Sequence, residues 1–96
     1  MSVYLIANIE LNDPDRYKEY VEHAPALIAK HGGKYRVRGG AARVLEGDWS
    51  PSRFIVLEFP SREAAMAFYD DPDYAPFKRL RQSIARTGLI LVDGCE

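Results

Sequence analysis

The sequence predicts an α+β fold of the ferredoxin-like type, with an antiparallel sheet and the element order β-α-β-β-α-β. Three observations carry this. Val3 to Glu10 alternates between an apolar set (Val3, Leu5, Ala7, Ile9) and a mixed set (Tyr4, Ile6, Asn8, Glu10), which is the two-residue period of a strand. Gly32-Gly33-Lys34-Tyr35-Arg36-Val37-Arg38-Gly39-Gly40, followed by Glu46-Gly47-Asp48-Trp49 and Phe54 to Phe59, has the pattern of a long central hairpin. One helical pattern precedes that hairpin, and a helical region followed by a strand comes after it.

The elements follow in order. Asp13 caps the first helix, Pro14 occupies a first-turn position that tolerates proline, and Asp15 complements the helix dipole. Tyr17, Tyr20, Val21, Ala24, Leu27 and Ile28 recur at three and four residues and form its buried stripe. Pro25 removes one backbone hydrogen bond, so a kink is expected near residues 21–25. Gly32 ends the helix just after His31.

In the second strand Tyr35 and Val37 alternate with Lys34, Arg36 and Arg38, and Gly39-Gly40 marks a bulge or a bend. Residues 47–52 form a loop. Arg53 to Phe59 is nearly continuous in apolar residues, as a central strand requires, and Pro60 closes it. Ser61 caps a short helix carrying Ala64, Ala65, Phe68 and Tyr69. A second helical segment buries Tyr74, Phe77, Leu80 and Ile84 and turns Lys78, Arg79, Arg81 and Arg86 outward. Gly88 is expected to end it, leaving Leu89 to Val92 as the last strand.

Ninety-six residues suffice for one domain, spanning 1–96, with a core that has little to spare. The net charge of −1 provides no long-range field for phosphate backbones, so nucleic-acid binding is not expected. The RNA-recognition fold shares the strand–helix order, but the third strand here lacks its glycines and carries Glu58. The single cysteine, Cys95, excludes an internal disulfide, and without a secretory apolar run the expected address is cytoplasmic. No apolar run approaches the length of a membrane span.

Helices cover only one face of such a sheet. The other would carry Tyr4, Ile6, Asn8, Arg36, Arg38, Phe54, Val56 and Glu58, with either Ile90 and Val92 or Leu89 and Leu91. That is more apolar surface than a monomer usually exposes, so a homodimer packed sheet to sheet is expected.

The glycine-bracketed segment and Glu46-Gly47-Asp48-Trp49, together with Val56-Leu57-Glu58-Phe59-Pro60-Ser61 and Tyr69, closely resemble the family known as domain of unknown function 1330. The resemblance covers nearly the whole chain. It implies a ferredoxin-like protomer of the dimeric α+β barrel group, and hence a homodimer. That wider group includes small monooxygenases, muconolactone isomerases and chlorite-dismutase-like haem proteins, while the family itself has no settled activity.

Candidate chemistry concentrates on the hairpin. Arg36 and Arg38, read as facing the same side, can clamp a carboxylate or an enolate oxygen, or can pair structurally with Glu58. Asp48 and Trp49 on the loop, with Asn8, complete the expected ligand-binding set. Trp49 can equally anchor a dimer. His23, beside Pro25, and Glu58 are the candidate acid–base groups, against surface and ion-paired alternatives. His31 is explained by the helix dipole. Two histidines and one terminal cysteine form no metal-ligand pattern, and neither a haem ligand, a P-loop nor a dinucleotide fingerprint is evident, so no cofactor is expected. The expected function is binding of a small organic ligand, aromatic or carboxylate, in a pocket on the helix-free side, with cofactor-independent acid–base chemistry upon it. The rival is a non-catalytic structural or regulatory dimer module, and whether the protein is an enzyme stays open.

Overall fold

The computed structural model describes residues 1–95. Its elements are β1 (Val3–Leu11), α1 (Pro14–Lys30), β2 (Lys34–Arg38), β3 (Arg53–Phe59), α2 (Arg62–Tyr69), α3 (Ala75–Ile84) and β4 (Ala85–Asp93). The four strands form one antiparallel sheet in the order β2-β3-β1-β4. The fold class is the ferredoxin-like α+β arrangement expected from the sequence.

The alternation in β1 sets the core. Val3, Leu5, Ala7 and Ile9 are buried beneath the helices, joined by Ile55, Leu57 and Phe59 from β3 and by Tyr17, Ala24 and Ile28 from α1. Asp13 caps α1 as expected, accepting from the Arg16 N–H at 3.2 Å. The helix runs through Pro25 to Lys30 as one element. It ends in a Schellman turn: the Gly32 N–H donates to Ala29 O, the Gly33 N–H donates to Ile28 O, and Gly32 has φ +80°.

Two expectations change. The last strand begins at Ala85, directly after α3, and Gly88 lies inside it opposite Asn8. Gly88 is expected to stop the helix, but a β1 long enough to pair as far as Leu11 draws residues 85–88 into the sheet. The second change is in β2. Its irregularity lies at Arg36 rather than at the glycines: Tyr35 pairs with Leu57, Val37 with Val56 and Arg38 with Ile55. One extra residue in a strand reverses the facing of all that follow. Val37 therefore turns to the open face and Arg38 to the helix side, the reverse of the sequence expectation.

Candidate functional site

The register orders the open face into rows. Val92, Tyr4, Glu58 and Lys34 form one, and Ile90, Ile6, Val56 and Val37 form the next, which is aliphatic across all four strands. Ile90 is 59% exposed, and the choice left open in the sequence resolves to Ile90 and Val92. Beyond this face, residues 40–52 form an exposed arm carrying Leu45 and Trp49, 81% and 68% exposed.

The residues expected to form a site do not converge. Arg36 Nε donates to Glu58 Oε1 at 2.6 Å, and Ser2 Oγ donates to Glu58 Oε2 at 2.5 Å. Those two hydrogen bonds, from Ser2 and then Arg36, hold the Glu58 carboxyl below its ordinary range. Glu58 is thus a paired carboxylate. Asn8 ties down the base of the arm, donating to Ser50 O at 3.1 Å and accepting from the Ser52 N–H at 2.8 Å. Trp49 stacks near Phe54, with ring centroids 6.3 Å apart, and Asp48 is exposed beside it. His23 lies on the outer surface of α1, stacked on Phe77 at 4.5 Å, with its Nδ1–H donating to Glu19 O. Arg38 is separated from Arg36 by the whole thickness of the sheet.

The helix-free side, where a pocket is expected, carries an open hollow of about 330 Å³ beneath the arm, lined among others by Val44, Leu45, Trp49 and Phe54, and a more enclosed cavity lies on the other side, between sheet and helices. Its volume is about 50 Å³. The floor is created by Ala7, whose small side chain sits at the centre of the row Arg38, Ile55, Ala7 and Leu89. The next row is Arg53, Ile9 and Thr87. Neighbouring strands are about 4.8 Å apart, so Arg53 and Thr87 flank Ile9 with backbones roughly 10 Å apart. Arg53 Nε and Thr87 Oγ1 are both buried and lack a hydrogen-bond partner. An unsatisfied buried polar atom costs about 1–3 kcal/mol, so two on one wall make this the least satisfied part of the interior.

The roof adds a third charge. Arg81 of α3 is only 4% exposed, and it faces the hydroxyls of Tyr74 and Tyr20, which lie 2.5 Å from each other. Burial opposes the charged form of Arg81, but the Tyr74 and Tyr20 oxygens outweigh it and raise its pKa. Burial, reinforced by Tyr74, pushes the Tyr20 hydroxyl well above its usual pKa, so it is a neutral donor at physiological pH. Arg38, with its guanidinium 4.4 Å from the Tyr35 ring centroid, also lines the cavity. Among the lining residues are three arginines and no carboxylate, imidazole or thiol. Among the described residues no group of three or more His, Cys, Asp or Glu is placed to hold a metal ion. Among the described residues no helix is long and apolar enough to cross a membrane.

The family model described as "Domain of unknown function (DUF1330)" matches residues 2–95. The chain belongs to this family. No curated protein matches it. Among solved structures it is similar to RPA0582, a protein of unknown function from Rhodopseudomonas palustris. That match has 21% identity and a TM-score of 0.80, and covers 99% of this chain and 83% of that one. It is also similar to SnoaB, a cofactor-independent oxygenase from Streptomyces nogalater (12% identity, TM-score 0.64, covering 99% and 94%). A third is a dimeric ferredoxin-like protein of unknown function from Jannaschia sp. CCS1 (13% identity, TM-score 0.66, covering 98% and 100%). At these identities the likeness is one of fold.

Three cavity residues of this DUF1330 chain escaped the sequence reading. The sequence pattern turns Arg81 outward, whereas it is buried; it falls three and seven residues from Ile84 and Tyr74 on the same stripe, and an arginine inside an apolar stripe is the available signal. Thr87 was hidden by taking Gly88 as a helix stop. Arg53 begins the third strand in phase with Ile55 and Leu57, so its inward facing was readable, but its lack of a partner was not.

Proposed function

We propose that the protein binds a small organic anion in the cavity between sheet and helices, as one protomer of a homodimer. The observation that carries this is the charge of the lining: Arg38, Arg53 and Arg81 face the cavity with no acid to neutralise them. Of the three, Arg81 is buried, Arg53 half-buried and Arg38 exposed, and a carboxylate or enolate would offset the cost of burying the Arg81 charge through charge-assisted hydrogen bonds. Tyr20, a neutral hydroxyl beside Arg81, adds a donor for such an oxygen.

The same lining favours binding over acid–base catalysis. His23 and Glu58 both lie outside the cavity, and no residue that lines it is a base at neutral pH. The dimer rests on the aliphatic row across the open face and on the two neighbours described as dimeric ferredoxin-like proteins, from Jannaschia and Thermobifida fusca.

The test compares two single substitutions on opposite faces of the sheet in NMR titrations with small carboxylates. Arg53→Met is expected to weaken the response about tenfold or more, the worth of one charge-assisted contact. Arg36→Met, on the open face, is expected to leave it unchanged. Equal weakening by both, or by Arg36→Met alone, would move the site to the helix-free side and sink the proposal.

A further inference from the structure

Tyr20 of α1 and Tyr74, at the start of α3, meet in the roof of the enclosed cavity with their hydroxyl oxygens 2.5 Å apart. Such a pair holds two O–H protons, and only one of them can lie between the oxygens. Arg81, buried beside them, cannot take the other, because a guanidinium only donates, and it directs its N–H groups at both oxygens. One phenolic proton is therefore left without a protein acceptor among the described residues.

Packing decides which. Tyr74 is 2% exposed, and its ring lies 4.4 Å from Phe68 inside the core. Tyr20 is half-buried and stacks on Tyr17 at 5.2 Å, and the Arg53 guanidinium lies 5.5 Å from that Tyr17 ring. Tyr20 thus sits on the arginine side of the cavity.

We infer that Tyr74 donates to Tyr20, that the Tyr20 O–H and Arg81 together hold one oxygen of the bound anion, and that this anion is a one- or two-carbon carboxylate of the formate or acetate kind. The inference rests on the anion-binding reading above and deepens it.

Size sets the upper limit. One ordered water needs about 10–15 Å³, so a cavity of about 50 Å³ holds roughly three to five non-hydrogen atoms. That suffices for a carboxylate carrying a hydrogen or a methyl group, and not for one attached to a ring. The lining agrees: besides the arginines, the phenols and Thr87 it is apolar, which suits a methyl group and offers nothing to a polar chain. Arg38, on the edge strand β2, is the most exposed of the lining charges and would meet the anion first. A hydroxyl that itself accepts hydrogen bonds is a stronger donor, which gives Tyr74 a positioning and polarising role behind Tyr20.

The experiment titrates isotope-labelled wild-type protein with acetate and with benzoate at constant ionic strength, with chloride as the reference anion. Acetate is expected to bind at least about tenfold more tightly than benzoate. Tyr20→Phe is expected to weaken acetate about tenfold, the worth of one hydrogen bond to a charged group. Tyr74→Phe leaves the Tyr20 O–H in place and removes the donor behind it, so a loss of about threefold is expected. Benzoate binding as tightly as acetate or more tightly, an acetate affinity unchanged in Tyr20→Phe, or a larger loss from Tyr74→Phe than from Tyr20→Phe would overturn the inference and leave the anion cavity standing. The comparison of acetate with benzoate needs only the wild type, so it decides the matter even where Tyr20→Phe does not fold. If neither carboxylate shifts the cavity resonances beyond the chloride reference, the anion-binding reading falls and takes this inference with it.

Discussion

Asp71, in the turn between α2 and α3, accepts from His31 Nε2 at 2.7 Å, from Lys30 Nζ at 2.9 Å and from the Asp73 N–H at 2.8 Å. The His31 hydrogen bond, followed by that of Lys30, holds its carboxyl far below the usual range. A carboxyl with a depressed folded pKa stabilises the fold above its unfolded pKa of about 4, and this contribution is lost as pH falls from there toward the folded value. Asp71→Asn is therefore expected to lower the melting temperature at neutral pH. The gap from wild type should narrow steadily as pH drops below about 4 in a thermal-unfolding series. A gap that stays constant with pH would mean that packing, not charge, ties α1 to this turn. The same comparison of partners separates the arginines: Arg36 has Glu58, and Arg53 Nε has nothing. Sequence shows that an arginine is present, but only three-dimensional neighbours show whether its charge is satisfied.

The bulge in β2 decides which arginine faces which layer, and it depends on how α1 enters the sheet. The Schellman turn delivers the chain to β2 at Gly33, where an added Cβ would lie 2.6 Å from Ile28 Cγ2 and 2.7 Å from the Phe59 ring. Both of those side chains are buried, so neither can yield freely. Gly33→Ala is expected to destabilise the protein by about 1–3 kcal/mol through overpacking, measured by chemical denaturation. A change within about 0.5 kcal/mol would show that β2 can shift along β3 and that its register is loosely held. Strands β1 and β3, the caps of α1 and α2, and the Gly32 turn are legible because each depends on residues within one turn or one alternation. Arg36 as the bulged residue was not, because a bulge is a property of the pairing of two strands.

Across the whole molecule the two sheet faces divide the tasks. The helix side holds the core and the enclosed cavity with Arg38, Arg53 and Arg81, and the open side holds the aliphatic row, the Arg36–Glu58 pair and the exposed arm. Ile6 lies at the centre of that row, between Val56 and Ile90. Ile6→Arg places a charge where two sheets would meet, and the protein is expected to elute and scatter light as a monomer at micromolar concentration with its fold retained. A wild type that is itself monomeric under those conditions would remove the homodimer from the proposal. With the aliphatic row and the enclosed cavity on opposite layers, the substitution is also expected to leave the proposed anion binding in place.

The sequence by itself determined the fold class, the order and most of the bounds of the elements, the family, and the apolar surplus on one sheet face. Periodicity, capping residues and glycine turns are local signals, and a single register of β1 carries them across the sheet. Tertiary structure alone decided where the enclosed cavity and its arginines lie. One extra residue at Arg36 turns Arg38 toward the helices, and residues 85–88 join the sheet and bring Thr87 beside Arg81. Burial then leaves Arg53 Nε and Thr87 Oγ1 without hydrogen-bond partners. Each of these depends on which groups meet across long stretches of chain, and on the cost of leaving a buried charge or hydroxyl unanswered.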